Sequence, residues 1–435
     1  MSWPYHPELL ARRVPRYTSY PTAAEFNENV GAGDMEQALA SLDPSETISL
    51  YLHIPYCHEI CWYCGCNTGA ANKVGRLASY LAALIEEIGL VADRISGTAR
   101  VGRIAFGGGS PNALSGAQMA DLIEQVNNRF DTASSLLSVE IDPRQLKDDF
   151  VSALADAGVR QASLGVQTFS DQIQRRIGRV QPAHLIDHAV EQLRGAGVAS
   201  LNFDLMYGLP GQTLADLQST LAQSVAFGAD RIALFGYAHL PELVARQRRI
   251  SAADLPGEAE RFEMASAGYD FLVEAGYRPV GFDHFALPGD PLAQAARRGR
   301  LRRNFQGFTD DGSKTLIGLG ASAISESPGL LAQNEKNSGR YRMLTSSGRL
   351  AAVRGIARDA DDRRRGAIIE SLLCRGEAQI EAVPDGLEPF VARDVVRLVG
   401  NRLRLTPSGL PYARSVAALF DRHRVHGGGR FSAAV

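Results

Sequence analysis

The feature that most constrains the fold is a regular alternation of apolar, β-rich runs with amphipathic helical segments between residues 48 and 236. The first run, ISLYLHIP at 48–55, is typical of a buried strand, and a helical period follows at about 75–95. The alternation then continues. Strands are predicted at 101–106, 136–142, 161–166, 200–206 and 231–236, with helices near 116–129, 147–157, 183–196 and 214–227. Such a pattern is typical of parallel strands joined by helical crossovers.

The number of strand–helix units predicts an α/β fold built on a partial, three-quarter β/α barrel of about six parallel strands. We expect an N-terminal arm or flap at 1–45, the barrel core at 46–245, a barrel extension with substrate-side loops at 246–330, and a smaller, mostly helical C-terminal domain at 331–435. Active sites on such sheets lie at the carboxyl ends of the strands. Motifs that directly follow a predicted strand are therefore the candidates for function.

Four of the five cysteines lie within ten residues, just after the first predicted strand: Cys57, Cys61, Cys64 and Cys66. The odd total and the crowding argue against a disulfide framework. Thiolates are the usual ligands of iron–sulfur clusters, and three of them leave one iron without a protein ligand. The alternative is a structural zinc site, which needs four closed ligands. Cys374 stands apart in an apolar run and is predicted to be a buried core thiol.

The composition excludes several classes of protein. The net charge of −2 provides no overall basic field that would steer the chain to nucleic acid or an anionic membrane. Stretches of about 18 apolar residues do not occur, so no transmembrane helix is expected. The first 20 residues lack the pattern of a secretory signal peptide. We therefore expect a cytoplasmic protein whose thiols stay reduced.

The spacing Cys57-x3-Cys61-x2-Cys64, with Tyr63 before the third cysteine, resembles the signature of the radical S-adenosylmethionine superfamily. Further motifs make the chain similar, nearly end to end, to the oxygen-independent coproporphyrinogen III oxidase family. They are PRYTSYP (15–21), YLHIPYC (51–57), GGGSP (107–111), VEIDP (139–143), LGVQ (164–167), DLMYGLP (204–210), YAHLP (237–241), DHF (283–285), RNFQG (303–307) and GASAI (320–324). The alternative is a haem-binding relative, either a haem chaperone or a haem-degrading methyltransferase. Those relatives generally carry an aromatic residue in place of Cys66 and lack the first motif.

The resemblance implies an enzyme that oxidatively decarboxylates two propionates of coproporphyrinogen III to vinyl groups without oxygen, giving protoporphyrinogen IX for haem biosynthesis. It implies a 5′-deoxyadenosyl radical made from S-adenosylmethionine at a [4Fe–4S] cluster. It also implies a flavodoxin- or ferredoxin-type electron donor and a monomeric state.

Residue roles follow from the same resemblance, position by position. Cys57, Cys61 and Cys64 would be the cluster ligands. Cys66, Tyr51 and Glu140 would be catalytic. The family can hold two S-adenosylmethionine molecules, and its contacts fall on Tyr51, Tyr63, Gly108, Gly109, Ser110, Glu140, Gln167, Arg179, Asp204, Ala238 and Ile324. The residues alone leave simpler alternatives open: a turn for the glycines, solvent-facing carboxylates for Glu140 and Asp204, and a surface arginine for Arg179.

The four propionates of coproporphyrinogen predict cations in the substrate pocket, because carboxylates pair best with guanidinium groups. The candidates are Arg16 in the arm and Arg302 and Arg303 in the extension. For Arg303 the alternative is an ion pair with Asp310. The arm itself is predicted to be either a flap over the active site or a packing segment.

Overall fold

In the computed structural model, which describes residues 3–71 and 74–424, twelve strands form one mixed sheet. The strands in chain order are β1 (Thr47–Ile54), β2 (Arg100–Gly108), β3 (Leu136–Ile141), β4 (Gln161–Gln167), β5 (Ser200–Tyr207), β6 (Arg231–Gly236), β7 (Arg278–Val280), β8 (His284–Ala286), β9 (Leu316–Leu319), β10 (Ile324–Ser327), β11 (Leu330–Asn334) and β12 (Ala352–Ala357). Their order across the sheet is β12-β11-β10-β9-β1-β2-β3-β4-β5-β6-β8-β7. Neighbours from β9 to β6 pair in parallel, and the flanking strands pair antiparallel.

The helices include the crossovers that join successive parallel strands. They are α1 (Pro7–Leu10), α2 (Ala32–Ala40), α3 (Val74–Ala92), α4 (Gly116–Arg129), α5 (Asp148–Asp156), α6 (Asp171–Arg176), α7 (Ala183–Gly195), α8 (Leu214–Ala226), α9 (Glu258–Glu274), α10 (Pro291–Arg297), α11 (Ser338–Ser346), α12 (Ala360–Arg375), α13 (Glu388–Ala392) and α14 (Ala413–Ala417). The strands and crossover helices predicted between 48 and 236 are confirmed. Within the described part of the chain, no helix combines the length and the apolar character needed to cross a membrane.

Both faces of β1 are covered, which explains its continuous apolar run. Every residue of β1 after Thr47 is buried. Leu50 and Leu52 pack in the main core, whereas Tyr51 packs in a separate small cluster against Phe305. On α3, the buried Glu87 accepts hydrogen bonds from the Gly320 amide at 2.6 Å, the Tyr341 hydroxyl at 2.7 Å and the Asn334 amide at 2.7 Å. This network fixes the antiparallel flank of the sheet onto the parallel centre.

About six parallel strands were predicted, and the described residues form seven, since β9 pairs in parallel beside β1. Strands of three to five residues in a Gly-rich region carry no periodic signal, so β7 to β11 were also missed. The expected boundary at 330/331 falls inside β11, and the sheet continues to β12. Residues 1–2, 72–73 and 425–435 of the expected domains lie outside the described residues. The closure of the sheet into a partial barrel stays a prediction.

The N-terminal arm and the C-terminal region share a second core. Apolar side chains of the arm, including Trp3, Tyr17 and Tyr20, pack with Leu372 and Leu403 in one cluster. Besides its helices, the C-terminal region contains a three-stranded antiparallel sheet formed by Glu377–Gln379, Val396–Val399 and Arg402–Leu405. The arm therefore contributes to the folding of the C-terminal region.

Candidate active site at the carboxyl ends of the parallel strands

The cysteine loop begins where β1 ends and is closed by a short parallel pair, Tyr56–Cys57 with Gly69–Ala70. Neighbouring segments hold it by hydrogen bonds. The Trp62 amide donates to the Ile177 carbonyl at 3.0 Å, and the Gln247 amide donates to the Tyr63 carbonyl at 2.8 Å. The loop is therefore fixed at the carboxyl edge of the sheet, where the sequence predicted the site.

The thiols differ in exposure and in pKa. Cys61 is buried, Cys57 and Cys64 are half-buried, and Cys66 is exposed. Burial and the neighbouring Cys64 thiol raise the pKa of Cys57 to about 12. A hydrogen bond with the Cys66 side chain lowers the pKa of Cys64 to about 6, and the Cys66 amide also donates to the Cys64 sulfur at 3.4 Å. The two thiols therefore interact directly.

Two guanidinium groups face the Cys61 sulfur, from Arg179 at 3.3 Å and Arg144 at 3.4 Å. Both arginines pair with Asp142, at 3.2 Å and 2.6 Å. Burial works to raise the pKa of Asp142, but the two guanidinium groups outweigh it and hold that pKa at about 2. Arg179 also donates to the Gly165 carbonyl at 2.6 Å. Arg179 is thus buried and fully engaged, which makes the surface alternative wrong.

The donor set fits an iron–sulfur cluster. Cys64 and Cys61 are both close enough to Cys57 to help raise its pKa, and N–H groups point at the sulfurs of Cys61 and Cys64, as is common around cluster thiolates. Among the described residues, no three His, Cys, Asp or Glu side chains are placed to bind one metal ion together. Ligands of a cluster bind different irons and lie farther apart than ligands of one ion.

The glycines at 107–109 are required by close packing at the end of β2. A side chain at Gly107 would meet the Glu140 carboxyl group at 2.6 Å, and one at Gly109 would meet the backbone of Tyr56 at 2.7 Å. Gly108 has φ +107° and lies against the His53 ring. The chain itself therefore accounts for the triplet, whose backbone forms the floor of the site beside the cysteine loop.

Two carboxyl groups and a tyrosine gather above this floor. Glu140 accepts a hydrogen bond from the Gly108 amide at 3.0 Å, and burial still raises the pKa of Glu140 to about 7. Asp204 accepts from Ser163 at 2.9 Å and from Asn202 at 2.8 Å, while burial raises its pKa. The buried Tyr51 stacks edge-on against Phe305, and its pKa is raised by burial and by Glu140.

The remaining predicted contacts lie around the same edge with different environments. The Ser110 hydroxyl is buried and donates to Asn112 at 2.5 Å, so it is already engaged. Gln167 has φ +66° at a bulge in β4, a strained conformation for a non-glycine residue. The Ala238 carbonyl accepts from Gln247 at 3.0 Å, and the half-buried Ile324 begins β10.

The arginines predicted to bind propionates have other partners. Arg302 pairs with Glu370 at 2.7 Å. Arg303 is half-buried and donates to the carbonyls of Tyr17 at 3.2 Å and Arg16 at 3.1 Å. The expected alternative pair was wrong, because Asp310 binds Arg103 at 2.6 Å. Arg16 donates to the Gly236 carbonyl and lines a cavity of about 50 Å³.

The sequence reasoning missed several residues that build the site. Asp142 and Arg144 lie two and four residues after Glu140, within or beside a quoted motif, yet no role was predicted for them. Arg246 and Gln247 hold the cysteine loop from almost two hundred residues away. Nothing local in their sequence could have indicated that long-range contact.

Comparison with known proteins agrees with this geometry. Residues 51–223 match the radical SAM superfamily model. An oxygen-independent coproporphyrinogen III oxidase of Bradyrhizobium diazoefficiens is 42% identical, with 94% of this chain and 95% of that protein covered. The protein of the same name from Pseudomonas aeruginosa is 40% identical, with 94% and 93% covered. The solved coproporphyrinogen III oxidase of Escherichia coli, described as a radical SAM enzyme, is 34% identical with a TM-score of 0.89, covering 98% of this chain and 100% of that one. This chain therefore belongs to the oxygen-independent coproporphyrinogen III oxidase family.

Proposed function

We propose that this chain is an oxygen-independent coproporphyrinogen III oxidase that converts two propionates of coproporphyrinogen III to vinyl groups, giving protoporphyrinogen IX. The observation that carries this function is the 42% identity to an oxidase across 95% of that protein's length. The names of the relatives favour the oxidase over a haem-binding relative. The enzyme acts in the synthesis of porphyrins and haem.

The enzyme uses a [4Fe–4S] cluster and S-adenosylmethionine, which supply, when bound, the one-electron chemistry that makes an adenosyl radical. Cys57, Cys61 and Cys64 would hold the cluster, and the exposed Cys66 would take part in turnover. Arg179 and Arg144 donate hydrogen bonds to the Cys61 sulfur, and such bonds tune the potential of a cluster. These two arginines are therefore positioned to make the cluster easier to reduce.

The carboxyl groups above the glycine floor are suited to holding S-adenosylmethionine. Glu140 and Asp204 can accept hydrogen bonds from ribose hydroxyls or from an ammonium group. Tyr51 and Tyr63 supply rings beside them, and we place the other cofactor contacts at Gly108, Gly109, Ser110, Gln167, Arg179, Ala238 and Ile324. Enclosure of this edge by protein would protect a radical from water and from stray hydrogen donors.

The wider architecture and partners are part of the same proposal. We take the seven parallel strands to curve into a partial barrel, with the cofactors at its mouth. We expect a monomer in the cytoplasm, where thiols stay reduced, with a flavodoxin- or ferredoxin-type protein as electron donor. The donor is needed because the cluster must receive an electron from outside.

Anaerobic reconstitution with iron and sulfide, followed by incubation with S-adenosylmethionine, a reductant and coproporphyrinogen III, tests the function. The expected product has lost two molecules of carbon dioxide, as measured by mass. A parallel incubation with haem separates the alternatives. Conversion or retention of haem, with coproporphyrinogen unchanged, would overturn the oxidase proposal.

Cysteine variants test the cluster site without relying on turnover. Cys57→Ser should lose bound iron, sulfide and visible absorbance, because a hydroxyl is a poor iron ligand. Cys66→Ser should keep all three. Cys374→Ser is the matched control, since Cys374 is buried in a separate small core away from the loop. Loss of the cluster in Cys66→Ser would show that the ligand assignment is wrong.

A further inference from the structure

The cysteine loop is bordered by two surface segments that are rich in arginine. One is the end of α6, with Arg175 and Arg176, and the other is the 3-10 turn Ala245–Arg249, with Arg246, Arg248 and Arg249. We refer to these five residues as the arginine collar. The nearest acids in the sequence are Asp171, at the start of α6, and Glu242, three residues before the turn. The collar is therefore a local concentration of positive charge on a chain whose net charge is −2.

The collar lies directly against the cysteine loop. Arg249 stacks on the Trp62 ring at 5.5 Å, and Arg246 donates to the Cys66 carbonyl at 3.0 Å. From the other side, Ile177 accepts a hydrogen bond from the Trp62 amide. Ile177 and Ile250 also pack in one apolar cluster with Trp62. The two halves of the collar are therefore held together around this ring.

Part of the collar's charge is free for an outside partner. The side chains of Arg175 and Arg248 are exposed and make no hydrogen bond or ion pair with any residue that the structure describes. Arg246 and Arg249 instead hold the loop. The collar thus has two layers. Arg246 and Arg249 form an inner layer that holds the loop, and Arg175 and Arg248 form an outer layer whose positive charges have no partner among the described residues.

Two exposed apolar side chains accompany these cations. Val180, four residues after Arg176, is 52% exposed, and Leu243, two residues before Ala245, is 62% exposed. Protein–protein interfaces combine exposed apolar side chains with arginines and a polar rim. The loop reaches the surface at the same place, because Gly65 and Cys66 are exposed.

We propose that the arginine collar is the docking surface for an acidic one-electron carrier protein that reduces the cluster; this rests on the proposed function. The carrier loses one electron and is oxidised, and the cluster gains that electron and is reduced. No bond is made or broken. Electron transfer slows steeply with distance, so the carrier must dock close to the cysteines. Complementary charge would speed the encounter and orient the carrier.

The test compares two double variants of the reconstituted protein. Arg175→Glu with Arg248→Glu reverses the outer layer of the collar. The matched control is Arg297→Glu with Arg298→Glu, two exposed arginines at the end of α10. That helix follows β8, whose last residue pairs with Arg231 at the start of β6. It therefore lies at the amino ends of the parallel strands, opposite the carboxyl ends where the cysteine loop lies. Both variants change the charge equally.

The measurements are the affinity for an acidic flavodoxin, by calorimetry, and the rate at which the reduced flavodoxin bleaches the cluster absorbance. At low salt, we expect the affinity for flavodoxin and the rate of cluster reduction to be about tenfold lower or more in the collar variant. The difference from the wild type should shrink as salt screens the charges. The control variant should match the wild type. Equal values for the collar variant and the control would overturn the proposal.

A chemical reductant separates this proposal from the proposed function. Dithionite needs no protein surface, so it should reduce the cluster and support cleavage of S-adenosylmethionine equally in all three proteins. Failure of dithionite in the wild type would count against the function itself. If the collar variant failed to bind a cluster, the salt dependence of the wild type would decide: a flavodoxin-driven rate that does not change with salt overturns the docking surface.

Discussion

Asp142 lies between two guanidinium groups beside the Cys61 sulfur, and its side chain is only 10% exposed. Removing one member of a buried charged group leaves the others uncompensated, which costs far more than the group contributes when complete. The charge of this carboxylate therefore keeps Arg179 and Arg144 in place near the cysteine loop.

Asp142→Asn should lower the free energy of unfolding of the cluster-free protein by about 3 kcal/mol, as measured by urea denaturation. Asp394→Asn is the control, because Asp394 forms an exposed pair with Arg397 and should give no measurable change. Equal effects in both variants would show that the buried pairs do not stabilise the fold.

Glu87 predicts a pH dependence of stability. Burial raises its pKa from the ordinary 4.5 to about 7, against the opposing effect of its hydrogen bonds. At pH values between these two pKa values, Glu87 keeps its proton in the folded state but has lost it in the unfolded state. The free energy of unfolding therefore falls as pH rises. The stability of the wild type relative to Glu87→Gln should therefore drop by about 3 kcal/mol between about pH 5 and about pH 8.

Urea denaturation of both proteins at the two pH values measures this difference. Glu86→Gln is the matched control, since Glu86 is the adjacent residue of α3 and is exposed. Its stability relative to the wild type should not change with pH. A Glu87→Gln difference that stays constant across the range would contradict the raised pKa.

At the scale of elements, the sequence predicts what local patterns encode. β1 to β6 and their crossover helices were found because each carries its own apolar period. The short strands β7 to β11 were missed because three to five residues carry no apolar period. The four clustered cysteines stood out because they lie close together in sequence, whereas the positions of Arg303 and Gln247 did not, because their contacts lie more than a hundred residues away.

The N-terminal arm tests one of these long-range contacts. Arg303→Met keeps an apolar stem but removes the guanidinium group, which lies over the Phe308 ring and donates to the carbonyls of Arg16 and Tyr17. Amides around residues 14–20 should then exchange with deuterium about tenfold faster or more, because opening of the arm becomes easier.

Arg302→Met is the control for the arm, since Arg302 lies next to Arg303 but pairs with Glu370. It should leave exchange in the arm unchanged. Similar exchange in both variants would mean that packing of Trp3 and Tyr20, rather than Arg303, holds the arm.

At the scale of the whole molecule, α9 joins the two largest cores, that of the sheet and that shared by the arm and the C-terminal region. Phe262 packs in the core shared by the arm and the C-terminal region, whereas Met264 packs in the core of the sheet. The cysteine loop begins directly after β1 of the sheet, and Gln247 and Ile177, which hold it, do not belong to the core shared by the arm and the C-terminal region. Loading of the cluster should therefore depend on the sheet core and be independent of the other core.

Leu403→Ala and Leu52→Ala test this separation with the same chemical change in the two cores, because both side chains are fully buried. Each should lower the free energy of unfolding by about 2–5 kcal/mol. After reconstitution at low temperature, Leu403→Ala should bind as much iron and sulfide per chain as the wild type. Leu52→Ala should bind less, because its cavity lies in the strand that positions Cys57. Equal loss of iron in the two variants would show that the cluster site senses both cores, and the arm and C-terminal region would then belong to the machinery that holds the cofactor.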